Sequence, residues 1–324
     1  MKRQFLLGIT VCLITLALSV VSTSEEGQAV VNLMIDADMH PAPTEDQINT
    51  AVGDLLNVTN DVSKRNLNAT LYLAGDMTAS RARVFITQIG TSPRYEIAMA
   101  GNTTDEKLSS MPTSAQKTVL ERSKKLAEAC HICGGNTITV TGFKPQSFDQ
   151  NGDTFRLLDG MGIDYSAGFQ QGVLYTTGHL KDAWPYQVTP HKLYAVPVST
   201  YNYSGGHLVL YDRKAQEMGL TGDQWYGILV GKFDEASAKG EPVVAVFSTM
   251  ISGSGAYQAA LEKFLDYAGS KKAEFVTTQQ LVDISKKGIP WAEGASMIGG
   301  SEVEKGYTVC DTLANVTVES GSQG

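Results

Sequence analysis

The sequence predicts an α/β protein, arranged as a distorted (β/α) barrel of seven to eight βα units. Two observations predict it. Past residue 28, short apolar strand-like runs alternate with longer helix-like runs, the order that gives a parallel sheet covered by helices. The roughly 300 residues beyond the N-terminal segment suffice for one large core, and barrels of this size commonly form a single domain. An open doubly wound sheet is the alternative arrangement.

The elements follow in order. Val30 to Asp36 reads as a buried strand. Thr44 to Ser63 reads as a helix, with Thr44 as cap and acidic residues in its first turn. Ala69 to Ala74 is a strand, Ala79 to Gln88 a helix and Tyr95 to Met99 a strand. Thr113 to Ala129 is a helix capped by Thr113 or Ser114, followed by a strand over Thr137 to Phe143. Asp153 to Met161 is a helix and Asp164 to Ala167 a short strand. After a looser stretch come a strand (Leu193 to Val198), a helix (Thr221 to Ser237) and a strand (Pro242 to Phe247). Gly255 to Ala268 (helix), Glu274 to Val276 (strand) and Thr277 to Lys287 (helix) complete the pattern. No Gly-x-Gly-x-x-Gly follows the first strand and no phosphate-binding loop is present, which argues against nucleotide binding.

The ends differ from this body. Met1-Lys2-Arg3 is basic, Phe5 to Val21 carries no charge, and Ser22-Thr23-Ser24 is a small polar exit. Residues 1–24 therefore read as a secretory signal peptide or an N-terminal membrane anchor, and the expected location is secreted or cell-surface. Five Asn-x-Ser/Thr sequons, at Asn57, Asn68, Asn102, Asn202 and Asn315, agree with export. Residues 28–290 form the predicted domain, and 291–324, rich in Gly, Ser and Thr, a peripheral tail. The net charge of −8 argues against nucleic acid as a partner, and membrane contact is expected only through the N-terminal segment. Cys130-His-Ile-Cys133 reads as a redox pair, half a zinc site or a small disulfide loop. It closes a helix and precedes Gly134-Gly135, and no second ligand pair is evident, so structural cysteines are favoured. The pairing of Cys310 with Cys130 or Cys133 stays open.

In a βα barrel, function sits at the C-terminal ends of the strands. The first strand ends in Asp36, Asp38 and His40, which share one face by the two-residue period. Two carboxylates and an imidazole could bind a cation or handle a proton. The same residues in a solvated turn are the plain alternative. Other strand ends offer Ala100 to Thr104, then Lys144, Gln146, Asp149, Gln150 and Asn151, and finally Ser248 and Thr249. Phe148, Phe169, Tyr175, Trp184 and Tyr186 lie nearby in sequence. A polar, amide-rich mouth with aromatics suits a sugar, and ordinary packing is the competing reading of those rings. Ser248 lacks a Gly-x-Ser-x-Gly elbow and a His–acid partner, so a serine nucleophile is disfavoured.

Several of these segments together resemble the polysaccharide deacetylase family, the chitin-oligosaccharide deacetylase homology domain of carbohydrate esterase family four, in an exported, methanogen-type branch. They are Met34-Ile-Asp-Ala-Asp-Met-His-Pro-Ala-Pro43, Tyr95 to Leu108, Gly142-Phe-Lys-Pro-Gln-Ser-Phe-Asp-Gln-Asn151, Tyr194 to Thr200, and Pro242 to Gly253. The resemblance spans Val30 to Lys287. It implies a distorted βα barrel and metal-dependent removal of acetyl groups from N-acetylated sugars. It places Asp36 at the catalytic base, Asp38 at a metal ligand and Lys144-Pro145 at an Arg-x-Pro element that shapes the groove. Gln146, Asp149 and Trp184 are expected to line that groove. The resemblance also shows departures. Ala100 and Thr104 stand where the family has two metal-binding histidines, and Ser248 stands where it has a general-acid histidine.

Alanine cannot ligate, a threonine hydroxyl ligates weakly, and serine has no pKa near neutrality. Two readings follow. The favoured one is a deacetylase-like protein with degenerate metal and acid positions, binding cell-surface N-acetylated glycan with little or no hydrolysis and without a metal. The alternative is an active deacetylase holding zinc, cobalt or nickel in a rearranged site of Asp36, Asp38 and His40 with His179 or His207.

Overall fold

The computed structural model describes residues 28–130, 132–133, 136–137 and 139–288. The N-terminal segment 1–24, the tail 291–324, the side chain of Cys133 and Cys310 lie outside the described residues, and so do the expectations that fall on them. Cys130 is buried at the end of its helix.

The chain runs β1 (Val30–Ala37), α1 (Glu45–Ser63), β2 (Ala69–Leu73), α2 (Gly75–Ala79), α3 (Arg83–Gly90), β3 (Tyr95–Met99) and α4 (Thr113–Glu128). It continues with β4 (Ile132–Cys133), β5 (Asn136–Thr137), β6 (Gly142–Phe143), α5 (Gly152–Gly160), β7 (Tyr165–Gln170), β8 (Tyr186–Gln187) and β9 (Tyr194–Val198). Then come β10 (Thr200–Tyr203), β11 (Gly206–Val209), α6 (Asp212–Glu217), α7 (Gly222–Lys239), β12 (Val243–Ser248), α8 (Thr249–Ser252), α9 (Gly255–Ser270), β13 (Glu274–Val276) and α10 (Thr278–Lys286).

The main sheet has the order β12-β1-β2-β3-β6-β7-β9-β8, with β13 also beside β1, and all its pairings except β8–β9 are parallel. Its two sides meet through backbone bonds from Ser199 N to Val244 O (2.9 Å) and from Val246 N to Leu210 O (2.8 Å). The α/β arrangement expected from the sequence is thus observed.

Strand alternation builds two cores. Val31, Leu33 and Ile35 of β1 join Leu71, Ile97 and Phe247 in the layer under the helices. Val30 and Met34 face the other way, with Tyr72, Ala98, Tyr165, Val196, Val244 and Val246, and fill the interior. This two-residue period delivers Asp36 to the interior. Four helices begin with a Thr-x-x-Gln or Asn-x-x-Thr box (Thr44, Asn151, Thr221, Thr277) whose side chains satisfy free backbone N–H groups reciprocally.

Three elements differ from expectation. The helix expected over 79–88 is two short helices, because Ser80 is extended and its hydroxyl binds Met77 O (2.7 Å) and Ala82 N (3.1 Å). Of the strand expected over 137–143, only Gly142–Phe143 joins the main sheet, while Asn136–Thr137 turns back onto Ile132–Cys133. Helix α4 starts without a side-chain cap, after Pro112. The β10–β11 hairpin and α6 fall in the stretch that carried no expectation.

One end of the interior is closed by α10. Glu96, partly buried, accepts from Tyr165 Oη (2.6 Å), Thr70 Oγ1 (2.9 Å) and Gln279 N (2.9 Å) in the first turn of α10. Burial raises its pKa, and the bond from Tyr165 opposes that rise. Glu96→Ala strands three donors, so chemical denaturation should show a loss on the order of 3 kcal/mol. Glu96→Gln should lose distinctly less, and equal losses for the two variants would contradict the carboxylate's anchoring role.

Candidate functional site

The opposite end of the interior holds the strand termini. Asp36 pairs in register with Ser248 of β12 on one side and Tyr72 of β2 on the other. Lys144, directly after β6, is fixed by its backbone N–H to Met99 O (3.0 Å). Its ammonium lies 2.8 Å from Asp36 Oδ2, and the side chains are 0% and 1% exposed. The rings of Phe148 and Tyr211 face that ammonium at 5.4 and 5.1 Å. An ion pair removed from water this completely needs close geometry to offset desolvation. The pair has it, but Asp36 Oδ1 is buried without a hydrogen-bond partner.

Asp38 is equally buried and has its own cation. The Arg213 guanidinium donates to Asp38 Oδ2 and, at 3.3 Å, to Ser248 Oγ. The Ser248 hydroxyl donates to Asp38 Oδ1 at 3.1 Å. Arg213 opens α6 beside Asp212, whose carboxylate accepts Ser248 N (3.0 and 2.9 Å) and Ser252 Oγ (2.6 Å). Tyr211, Asp212 and Arg213 therefore clasp the end of β12 and reach across to β1. Burial is the main influence on the pKa values here. It pushes Asp38 up to about 6 against the opposing pull of Arg213, and Asp212 up to about 8. Arg213 is raised further above its already high value by Asp38, so its charge is permanent.

These residues do not fit a divalent metal. Both Asp38 oxygens are engaged, Oδ2 by the Arg213 guanidinium and Oδ1 by the Ser248 hydroxyl. Ala100 is buried and has no donor atom, and the Thr104 hydroxyl is directed to Met39 O. Among the described residues no group of three or more His, Cys, Asp or Glu side chains is placed to hold a metal. The rearranged site is not assembled either. His40 is exposed beyond Asp38, and His179 is bonded to Asp182 (2.6 Å) and stacked on Tyr186 in its own loop. His207 is exposed in the β10–β11 hairpin, and His191 lies 3.5 Å from Asp159.

The expected groove residues separate. Gln146 donates to Ala100 O (2.8 Å), and Asp149 accepts from Ser109 N (2.9 Å) and Ser109 Oγ, so both are near the mouth but act as loop clamps. Trp184 is at the other end of the barrel. Its indole donates to Gly240 O (3.2 Å), and it shares a crevice with Gln28, Ala29 and Val30, where β1 begins. Phe169 and Tyr186 pack with Val188 and Phe155 in a separate apolar cluster, so they too are ordinary packing. Phe148 is at the mouth, against Lys144. Val173, Leu174, Tyr175 and Leu180 are exposed on the segment that leaves β7. Sequence reading missed Tyr211, Asp212 and Arg213, because they lie in a short turn-and-helix with no apolar period. The available signal was a charge argument: an inward Asp38 without histidine partners requires a cation.

No family model matches the chain, and no curated protein matches it. Solved structures do. A Mycobacterium smegmatis protein described as a polysaccharide deacetylase is similar at a TM-score of 0.62 and 19% identity, over 86% of this chain and 98% of that one. Puue allantoinase is similar at 0.65 and 13%, over 83% and 93%. A CE4-family pseudoenzyme from Bacillus anthracis, in a mutant described as having restored enzymatic activity, is similar at 0.50 and 11%, over 80% and 69%. At these identities the likeness is one of fold, and the chain has the α/β fold of the polysaccharide deacetylases.

Two tests follow from the geometry. Lys144→Met leaves Asp36 buried and unpaired, and should cost about 3–5 kcal/mol in chemical denaturation. Asp36→Asn in the same chain should recover most of it, and strict additivity would contradict the pairing. The second test is pH. Asp38 and Asp212 have folded-state pKa values above the unfolded 3.8, so the folded state binds the extra protons. Their stabilising effect is complete below about pH 4 and is lost as pH rises through about 6 and about 8. Asp212→Asn should flatten the fall in melting temperature between pH 5 and 9, and parallel curves for variant and parent would refute the shift.

Proposed function

We propose that this chain is an exported protein that uses the deacetylase fold to bind N-acetylated glycan at the cell surface, with little or no hydrolysis. One observation carries the reading: each of the two inward carboxylates is already neutralised by a side-chain cation, Asp36 by Lys144 and Asp38 by Arg213. Amide hydrolysis at neutral pH needs an activated water and stabilisation of an oxyanion. Asp36 could act as base only through an oxygen buried away from solvent, and no imidazole stands at 100, 104 or 248 to hold a metal or to serve as acid. Losing metal and acid together corresponds to a rate lower by on the order of a thousandfold or more.

Export is supported by the charge and hydropathy pattern of residues 1–24, and the methanogen-type branch by the segments quoted above. The same pattern supports the division into an N-terminal signal or anchor, a domain over 28–290 and a peripheral tail. Glycan as ligand is supported by the relatives in fold described as polysaccharide deacetylases. The exposed Tyr175, Leu174, Val173 and Leu180 on the segment leaving β7 offer apolar surface of the kind that packs against sugar ring faces.

The mature chain, purified without chelator, should contain no stoichiometric zinc, cobalt or nickel and release no acetate from chitin oligosaccharides. It should bind N-acetylated oligosaccharides in a titration. Acetate release above background would overturn the non-hydrolytic part. Absence of binding at millimolar ligand would overturn the glycan part.

A further inference from the structure

We infer that Arg213 is the resident cation of this mouth, and that its guanidinium, more than the missing histidines, is what excludes a metal ion. The inference rests on the non-hydrolytic reading of the site. Its first ground is occupancy. The guanidinium binds Asp38 Oδ2 and Ser248 Oγ (3.3 Å), and the Ser248 hydroxyl takes Asp38 Oδ1, so both carboxylate oxygens are already engaged. A divalent ion on Asp38 would lie against a permanent positive charge in a water-poor setting, where like charges repel strongly.

The second ground is how firmly Arg213 is placed. Its backbone is pinned through Asp212, which accepts two bonds from Ser248 N and one from Ser252 Oγ. Its guanidinium carbon lies 5.9 Å from the Tyr211 ring centre. The side chain is only 26% exposed, so it has little freedom to swing out into water. The third ground is reach. Arg213 connects α6 to Asp38 beyond β1 and to Ser248 at the end of β12, the cross-linking that a metal ion with ligands on separate strands performs. Thr104 adds a tie from the loop after β3 to Met39 O, one residue past Asp38. Of the three positions that lack an imidazole, Ser248 therefore touches this cation directly and Thr104 is tied to the residue next to Asp38.

The test separates the two causes of metal exclusion. In one chain Ala100→His and Thr104→His restore imidazoles and Arg213 stays. In a second chain Arg213→Ser is added. Zinc affinity is measured by competition with a chromophoric chelator. The first chain should bind zinc within tenfold of the parent, and the second at least a hundredfold tighter than the first. Equal affinity of the two chains, whether tight or weak, overturns the inference. Should the second chain fail to fold, thermal melts of Arg213→Met, Asp38→Asn and their combination decide instead. Arg213→Met should melt well below the parent and the combination should recover. Additive losses, or no loss in Arg213→Met, overturn it. Acetate release and glycan binding by the unchanged chain test the functional reading separately, so failure of one leaves the other standing.

Discussion

Two carboxylates on the inward face at the end of one strand constrain everything around them. Asp36 and Asp38 are both buried, so each requires a compensating positive charge or a proton. A metal ion held by Asp38 together with histidines would be one solution for that carboxylate. This chain uses two separate side-chain cations, brought from opposite sides. Lys144 arrives from β6, and Arg213 from the turn after β11. The lysine is sheathed by Phe148 and Tyr211, whose ring faces favour a nearby cation. Tyr211 also faces Arg213, so one ring lies between the two pairs.

The architecture makes this arrangement possible. A two-residue period along β1 sends Val31, Leu33 and Ile35 to the helices and Asn32, Met34 and Asp36 to the interior. The interior is apolar through its middle, where Met34, Ala98, Val196, Val244 and Val246 meet. Polar groups gather at its two ends. At one end Glu96, Tyr165, Thr70 and the first turn of α10 satisfy one another, with no cation at a bonding distance among the described residues. At the other, charge is balanced by charge. The helix start stabilises Glu96 through the backbone N–H of Gln279 and the positive end of its dipole, where Asp36 and Asp38 rely on side-chain cations.

The sequence made the fold legible because its strands are short apolar runs and its helices carry recognisable starts. Thr44-x-x-Gln47 and Thr277-x-x-Gln280 mark helix beginnings that the structure reproduces within a residue. The candidate site was legible only as far as the strand end. Asp36, Asp38 and Ser248 could be placed by register, and Lys144 by its position after β6. Arg213 could not, since its partner Asp38 is 175 residues away and nothing local marks the contact. Trp184 was misplaced for the opposite reason. An aromatic near a mouth in sequence was assigned to it, but Trp184 packs beside the start of β1, at the opposite end. Long-range electrostatic partners and the path of irregular segments are set by tertiary packing, which periodicity does not encode.

A guanidinium on Asp38, where a metal ion could otherwise bind, sets what the site can do as well as what it holds. A metal with an open coordination position lowers the pKa of a bound water and supplies charge to an oxyanion. A guanidinium has no such position. Its donors point at fixed acceptors, and its pKa lies too high for it to trade protons with substrate or water. It does keep the other property of a bound metal, which is to hold several chain segments together through directional bonds. Because that cation is covalently part of the chain, the tie forms on folding and needs no ion from outside. Under the proposed reading, the carboxylates and their cations have become part of the framework that shapes the mouth, and recognition falls to the surface around it. The exposed apolar side chains of the segment leaving β7 are the part of that surface least explained by folding alone, since packing leaves them in contact with water.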